Sequence, residues 1–122
     1  NGRTLHGMQN GKTTEIHPDT ANPLSNLSVP HWDAMLLMAA KAYEVTGLGY
    51  LGADIVLDKE KGPLLLELNA RPGLAIQIAN RLGIRPLVNA TLTANTDGLD
   101  AEGRVALAKK LFREYAPGLA TA

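Results

Sequence analysis

The sequence predicts an α+β domain: an antiparallel sheet of about four strands, with helices packed on one face and an open polar face. Three observations predict it. Asn10-Gly11 is a two-residue hairpin turn signal between short segments that read as extended. Residues 51–58 and 63–69 read as a second pair of strands around the polar loop Lys59–Gly62. Apolar residues recur at helical spacing over residues 32–46 and 100–115.

Composition supports a globular chain. Hydrophobic residues make up 45% of the 122, which is enough for a core, while aromatics at 4% require that core to be aliphatic. Twelve Lys and Arg balance twelve Asp and Glu, so net charge directs the chain neither to nucleic acid nor to an anionic membrane. The absence of cysteine excludes a disulfide scaffold, a thiolate metal site and a Cys nucleophile. No apolar run approaches the roughly 20 residues of a membrane span, and no signal peptide is recognisable, so the expected setting is cytoplasmic. The chain opens Asn1-Gly2-Arg3 without an initiator Met, which suggests a segment of a longer protein.

In order along the chain, residues 3–17 read as a hairpin about Asn10-Gly11. With Gln9 facing Lys12, His6 falls opposite Glu15 and Leu5 opposite Ile16. An irregular stretch follows from His17 to Pro30, broken by Asn22-Pro23 and Val29-Pro30. A helix spans about 32–46 on the apolar line Trp32, Leu36, Ala39, Ala40 and Tyr43, with Gly47 placed for a left-handed cap. The strands 51–58 and 63–69 come next, then a helix from near Leu74 that ends before Gly83. Residues 84–96 are open between extended and loop. The last helix starts at Asp100 as N-cap, presents Val105, Ala108, Leu111, Phe112 and Tyr115, and stops at Pro117-Gly118. Trp32 and Tyr43 are expected in the core.

The second hairpin carries the chemistry. Alternation puts Ile55 and Leu57 on one face and Asp54 and Val56 on the other; in the second strand Leu64, Leu66 and Leu68 oppose Leu65, Glu67 and Asn69. A four-residue loop from Lys59 to Gly62 pairs Asp58 with Pro63, Val56 with Leu65, and Asp54 with Glu67. Facing carboxylates repel, and a shared proton, a basic side chain or a cation offsets that. Asp54, Glu67 and the amide oxygen of Asn69 are hard oxygen ligands, suited to Mg²⁺ or Mn²⁺ rather than zinc. The same patterning also fits solvent-facing residues on a half-exposed sheet.

Ala70-Arg71-Pro72-Gly73 then forms a tight loop into a helix. Free N–H groups at that helix start would favour an anion, and Arg71 would add a bidentate clamp. The alternative is a surface arginine at an ordinary helix start. Gln77, one turn further on, is equally placed for the same pocket or for the surface.

Gly52-Ala-Asp54 and Leu66-Glu67-Leu-Asn69-Ala-Arg-Pro72-Gly73 resemble the C-terminal part of the ATP-grasp fold, in its α-L-glutamate ligase-like branch. His17-Pro-Asp-Thr20, Val29-Pro-His-Trp32 and Thr46-Gly-Leu-Gly-Tyr-Leu-Gly52 resemble that branch and its sugar-transfer-associated relatives. The resemblance covers most of residues 17–83.

It implies an ATP-dependent carboxylate–amine ligase that forms an amide through an acylphosphate, with glutamate a candidate amine. Asp54, Glu67 and Asn69 would hold two Mg²⁺ ions, or Mn²⁺, against the ATP phosphates. Asn69, Arg71 and Gly73 would contact the nucleotide, and Arg71 would act on the transferring phosphoryl group or the acceptor carboxylate. The nucleotide-clamping lysines of such enzymes belong to an earlier half, so residues 1–122 are expected to be the C-terminal part of an ATP-grasp domain. Gly11-Lys12 is a hairpin turn and not a P-loop. The expected partners are ATP, a small carboxylate or amine substrate and the missing N-terminal half. The isolated piece is expected to be inactive and open to forming a homo-oligomer. The alternatives are an ATP-grasp enzyme with another acceptor, sugar-transfer-associated or kinase-like, or a non-catalytic fragment that self-associates.

The remaining polar residues read as structural. His6, His17 and His31 lack ligand spacing and read as surface or hydrogen-bonded histidines. Asp19 reads as a turn former, or as part of a substrate loop if the resemblance extends to it, and Arg3 as a strand-end charge.

Overall fold

A computed structural model of the chain describes residues 2–115. Strand β1 (Gly7–Gln9) pairs antiparallel with β2 (Lys12–Thr14) in the expected register, Gln9 opposite Lys12. Both central turn residues, Asn10 (φ 51°) and Gly11 (φ 76°), are left-handed, which matches the strand twist and explains why Asn-Gly stands there.

The expected continuation of this ladder does not form. Pairing ends at Gly7–Thr14, and the strand flanks turn instead to the following stretch, where Ile16 bridges Pro23 and Arg3 bridges Ser28. The Thr4 N–H donates to the Leu27 carbonyl (2.9 Å), the Val29 N–H to that of Gly2 (2.7 Å) and the Leu24 N–H to that of Glu15 (2.7 Å). Prolines at 18, 23 and 30 remove ladder donors, so single bridges form in place of strands. The stretch that reads as irregular thereby satisfies the backbone on either side of β1 and β2.

Helix α1 (Trp32–Thr46) has the predicted bounds. Gly47 closes it at φ 67°, its N–H donating to the Tyr43 carbonyl at 2.8 Å. Strands β3 (Gly52–Asp58) and β4 (Gly62–Asn69) form a separate two-stranded antiparallel sheet, so the strands are arranged as two hairpins rather than as one four-stranded sheet. Helix α2 (Ala75–Asn80) has only six residues.

Residues 85–93, not expected as a helix, form α3 (Arg85–Thr93). Pro86 in its first turn is the sequence signal for that start, since a helix loses nothing by lacking an N–H there. Helix α4 (Ala101–Tyr115) starts as predicted, with Asp100 Oδ1 accepting the Gly103 N–H at 2.8 Å. The expected stop at Pro117-Gly118 lies outside the described residues. No helix among the described residues is long and apolar enough to cross a membrane.

Helix α4 packs against α1 and α3, and α1 also packs against the β3–β4 hairpin. Among the described residues the buried hydrophobic side chains are Ala42, Ala90 and Ala101, one on each of these three helices. Small side chains let the helices approach closely and leave larger ones at the margins. Trp32 and Tyr43 are therefore not core residues: they stay 36% and 43% exposed. Trp32 lies against Gly2, where a Cβ would come within 2.6 Å of its ring. Tyr43 is covered by the Arg104 guanidinium, 4.4 Å from the ring centre. Arg104 also faces Glu44 at 3.5 Å, and Lys109 meets Asp33 at 2.7 Å, so charged pairs line the α1–α4 contact.

Candidate functional site

Strands β3 and β4 bring Asp54 directly opposite Glu67, as the strand pattern predicts, and Gly52 opposite Asn69. The route to this register differs from the expectation. The turn is one residue tighter, pairing Asp58 with Gly62, because Gly62 adopts φ 75°. Asp58 Oδ1 accepts the N–H groups of Glu60 (2.9 Å) and Lys61 (2.8 Å) across that turn. These bonds, that of Lys61 foremost, hold the Asp58 carboxyl below the usual aspartate range.

A bulge between Asp54 and Ile55 then leaves Leu66 without a partner and restores the offset. Val56 consequently faces Leu64, not Leu65, and Leu57, not Asp58, faces Pro63. The tighter turn, with the bulge ending its shift, exchanges two side chains between faces. Leu64 joins Asp54, Glu67 and Asn69, while Leu65 joins Ile55 and Leu68. Ala53, Ile55 and Leu68 are half-buried on their face, whereas Asp54, Glu67 and Asn69 are exposed on the other.

Among the described residues no basic side chain lies within ion-pair distance of Asp54 or Glu67. Arg71 does not neutralise Glu67. With a basic side chain excluded, a shared proton or a cation remains to offset the repulsion. Nor does any group of three or more His, Asp or Glu side chains gather among the described residues. The oxygen donors on this face are thus two carboxylates and one amide, a set that fits Mg²⁺ with water and phosphate completing its shell.

The Arg71–Gly73 loop folds onto this same face. Asn69 Oδ1 accepts the Arg71 N–H at 2.9 Å, closing an Asx turn that reverses the chain after β4. A Cβ on Gly52 would project on the carboxylate face and meet Pro72 Cβ at 2.9 Å and Asn69 Cβ at 3.7 Å. Glycine at 52 therefore lets Pro72 settle beside the hairpin, one residue along the face from Asp54. Arg71 is exposed, with no ion-pair partner among the described residues. Gly73 is exposed, with open space where a side chain would stand.

The expected helix start after Gly73 is weaker than the sequence suggests. A six-residue α2 carries little dipole, and its N-cap, Leu74, makes no side-chain cap. Gln77 is half-buried, with its Oε1 turned away from solvent, and lines an open groove of about 260 Å³. Arg81, which the sequence reading passes over, lines that groove too and adopts a left-handed backbone at φ 51°.

His6 and His17 are hydrogen-bonded and His31 is exposed without a side-chain cap, as expected of surface or hydrogen-bonded histidines. His6 Nε2 bonds the Ala79 carbonyl at 3.2 Å, tying α2 to the N-terminal segment. His17 Nδ1 accepts the N–H groups of Asp19 (3.2 Å) and Thr20 (3.3 Å). His31 is the N-cap residue of α1. The Arg3 guanidinium donates to Asn26 Oδ1.

An α+β chain with paired carboxylates and an Asn-x-Arg-Pro-Gly loop turned onto one hairpin face has the features of an ATP-grasp protein. The sequence profile of the sugar-transfer associated ATP-grasp family matches residues 1–93, and the chain belongs to that family. A stretch of 68 residues, 51% of the chain, is 40% identical to a D-alanine–D-alanine ligase of Magnetococcus marinus. The match covers 22% of that enzyme, so the chain spans about a fifth of its curated relative. No solved structure matches the chain.

Proposed function

We propose that this chain is the cation- and phosphate-binding C-terminal part of an ATP-dependent carboxylate–amine ligase, the clamp for ATP being completed by a further part of the same domain. The observation that carries this reading is the pairing of Asp54 with Glu67 on the face onto which the Arg71–Gly73 loop folds. Family membership and the partial likeness to a ligase support it.

The reaction class is balanced simply. The γ-phosphoryl group of ATP passes to a substrate carboxylate, giving an acylphosphate and ADP. An amine then attacks the acyl carbon, the C–O bond to phosphate breaks, and the amine loses a proton. Asp54 and Glu67 would hold Mg²⁺ or Mn²⁺, with Asn69 Oδ1 contributing its remaining lone pair beside the Arg71 N–H. Bound there, the cation would neutralise charge on the phosphate oxygens. Arg71 would pair in bidentate fashion with a phosphoryl or carboxylate group, and the exposed backbone at Gly73 would let a phosphate approach closely. A cytoplasmic setting suits the use of ATP. Glutamate is the first amine to assay.

Mn²⁺ binding by electron paramagnetic resonance on the full-length protein tests the site without turnover. Asp54→Asn should weaken Mn²⁺ binding at least tenfold and abolish amide formation. Undiminished Mn²⁺ binding and turnover in that variant would remove the metal assignment.

A further inference from the structure

Helix α2 is fixed at its two ends and by little in between. Six residues are too few for a helix to persist on its own. Leu74, Ile76 and Ile78 are more than half exposed, and α2 packs extensively on no other helix or strand, so apolar burial does little to hold it. At its start, the seat of Pro72 against Gly52 fixes one end of the Arg71–Gly73 loop. Gly73 joins that seat to α2.

Hydrogen bonds close the other end. Carbonyls in the last turn of a helix have no partner within it. That of Gln77 accepts the Leu82 N–H and that of Ile78 the Arg81 N–H, both at 3.1 Å and both from residues that follow directly. The Ala79 carbonyl is satisfied from 73 residues away, by His6 Nε2 at 3.2 Å. A carbonyl only accepts, so Nε2 carries the proton and donates it. Both residues are half-buried, which limits competition from water. The only other side-chain hydrogen bond of α2 among the described residues stays inside the helix, from Asn80 Nδ2 to the Ile76 carbonyl at 2.9 Å. His6 is thus the polar tie between α2 and the N-terminal segment.

We infer that His6 is a positioning residue for the Arg71–Gly73 loop: by anchoring α2 it holds the Gly73 backbone where a phosphate approaches. Without the anchor, one end of the loop stays on Gly52 while the other moves with a short, exposed helix. Phosphoryl transfer depends on such positioning. The inference rests on the proposed function only in bringing a phosphate to the loop; the anchoring itself needs no ligand.

Two substitutions in the full-length protein test it. His6→Leu keeps bulk and removes the donor, whereas His6→Gln puts an amide N–H in place of Nε2–H. In His6→Leu, protection of the Ile78, Arg81 and Leu82 amides from hydrogen exchange should fall about fivefold, the loss expected of one hydrogen bond, with α1 unchanged. Calorimetric affinity for a non-hydrolysable ATP analogue with Mg²⁺ should fall by about the same factor. Mn²⁺ binding without nucleotide should stay within about twofold of the parent, because Asp54 and Glu67 belong to the β3–β4 hairpin. His6→Gln should restore protection and analogue affinity together, which a role as bulk alone would not. Unchanged protection in His6→Leu, unchanged analogue affinity despite a loosened α2, or a His6→Gln protein that behaves as His6→Leu overturns the inference. Protection lost throughout the chain also overturns it, since His6 would then support the whole fold. Failure of the proposed function is read in the parent, as absent Mn²⁺ and analogue binding; failure of this inference is read in the difference between the two variants.

Discussion

Asp54 and Glu67 face each other across the β3–β4 ladder, both exposed and neither paired with a basic side chain among the described residues. Two like charges placed opposite one another weaken a sheet. Four predictions follow from this pair and the backbone that holds it.

Replacing Glu67 with Gln keeps side-chain shape and strand pairing while removing one of the two charges. Without metal the Glu67→Gln protein should be no less stable than the parent, with a gain of up to about 1 kcal/mol. On the proposed function, ligase activity of the full-length enzyme should nevertheless collapse. Thermal melts without metal and assays on the same preparation check both halves. A variant that melts early yet turns over normally per folded molecule would end the assignment.

Gly52→Ala tests how the loop is seated. The new Cβ would meet Pro72 at 2.9 Å, so the Arg71–Gly73 segment must shift away from the carboxylate face. Cost to stability should stay modest, on the order of 1–2 kcal/mol, as expected for overpacking. Amide formation should fall more than tenfold, since displacing a clamp by a fraction of an ångström disturbs positioning. Full activity in this variant would show that the loop's seat on β3 is immaterial.

Gly62→Ala probes the turn instead of the site. Open space surrounds position 62, so the only penalty is the left-handed backbone at φ 75°. Urea denaturation should show a loss of about 1 kcal/mol, and Gly62→Asn should lose less, because Asn tolerates that region. Activity per folded molecule should be unchanged in both.

Asp58 makes the hairpin tip sensitive to acid. Its carboxyl is held below the usual aspartate range by the Lys61 and Glu60 N–H groups. Its stabilising effect is thus present in full above the ordinary aspartate pKa and lost as pH falls through the depressed folded value. Protection of the Glu60 and Lys61 amides from exchange, taken relative to the intrinsic rate at each pH, should fall in that acid window. Asp58→Ala should show the lower protection already at neutral pH.

The sequence by itself determined the features that depend on a few neighbouring residues. Asn10-Gly11 specifies its turn, Gly47 its cap and Asp100 its helix start, because each is a matter of local φ or one short hydrogen bond. Alternation along β3 and β4 likewise places Asp54, Glu67 and Asn69 on one face. Tertiary structure decided what depends on packing between distant segments. The tighter turn at Gly62 and the bulge at Leu66 are two register changes that cancel at Asp54–Glu67 but exchange the faces expected for Leu64 and Leu65. Whether Trp32 and Tyr43 are buried depends on how closely α1, α3 and α4 approach at their alanines, which no pattern within one helix records. The seat of Pro72 against Gly52 and the groove shared by Gln77 and Arg81 are set by the path of the chain after β4, where side chains separated in sequence come into contact.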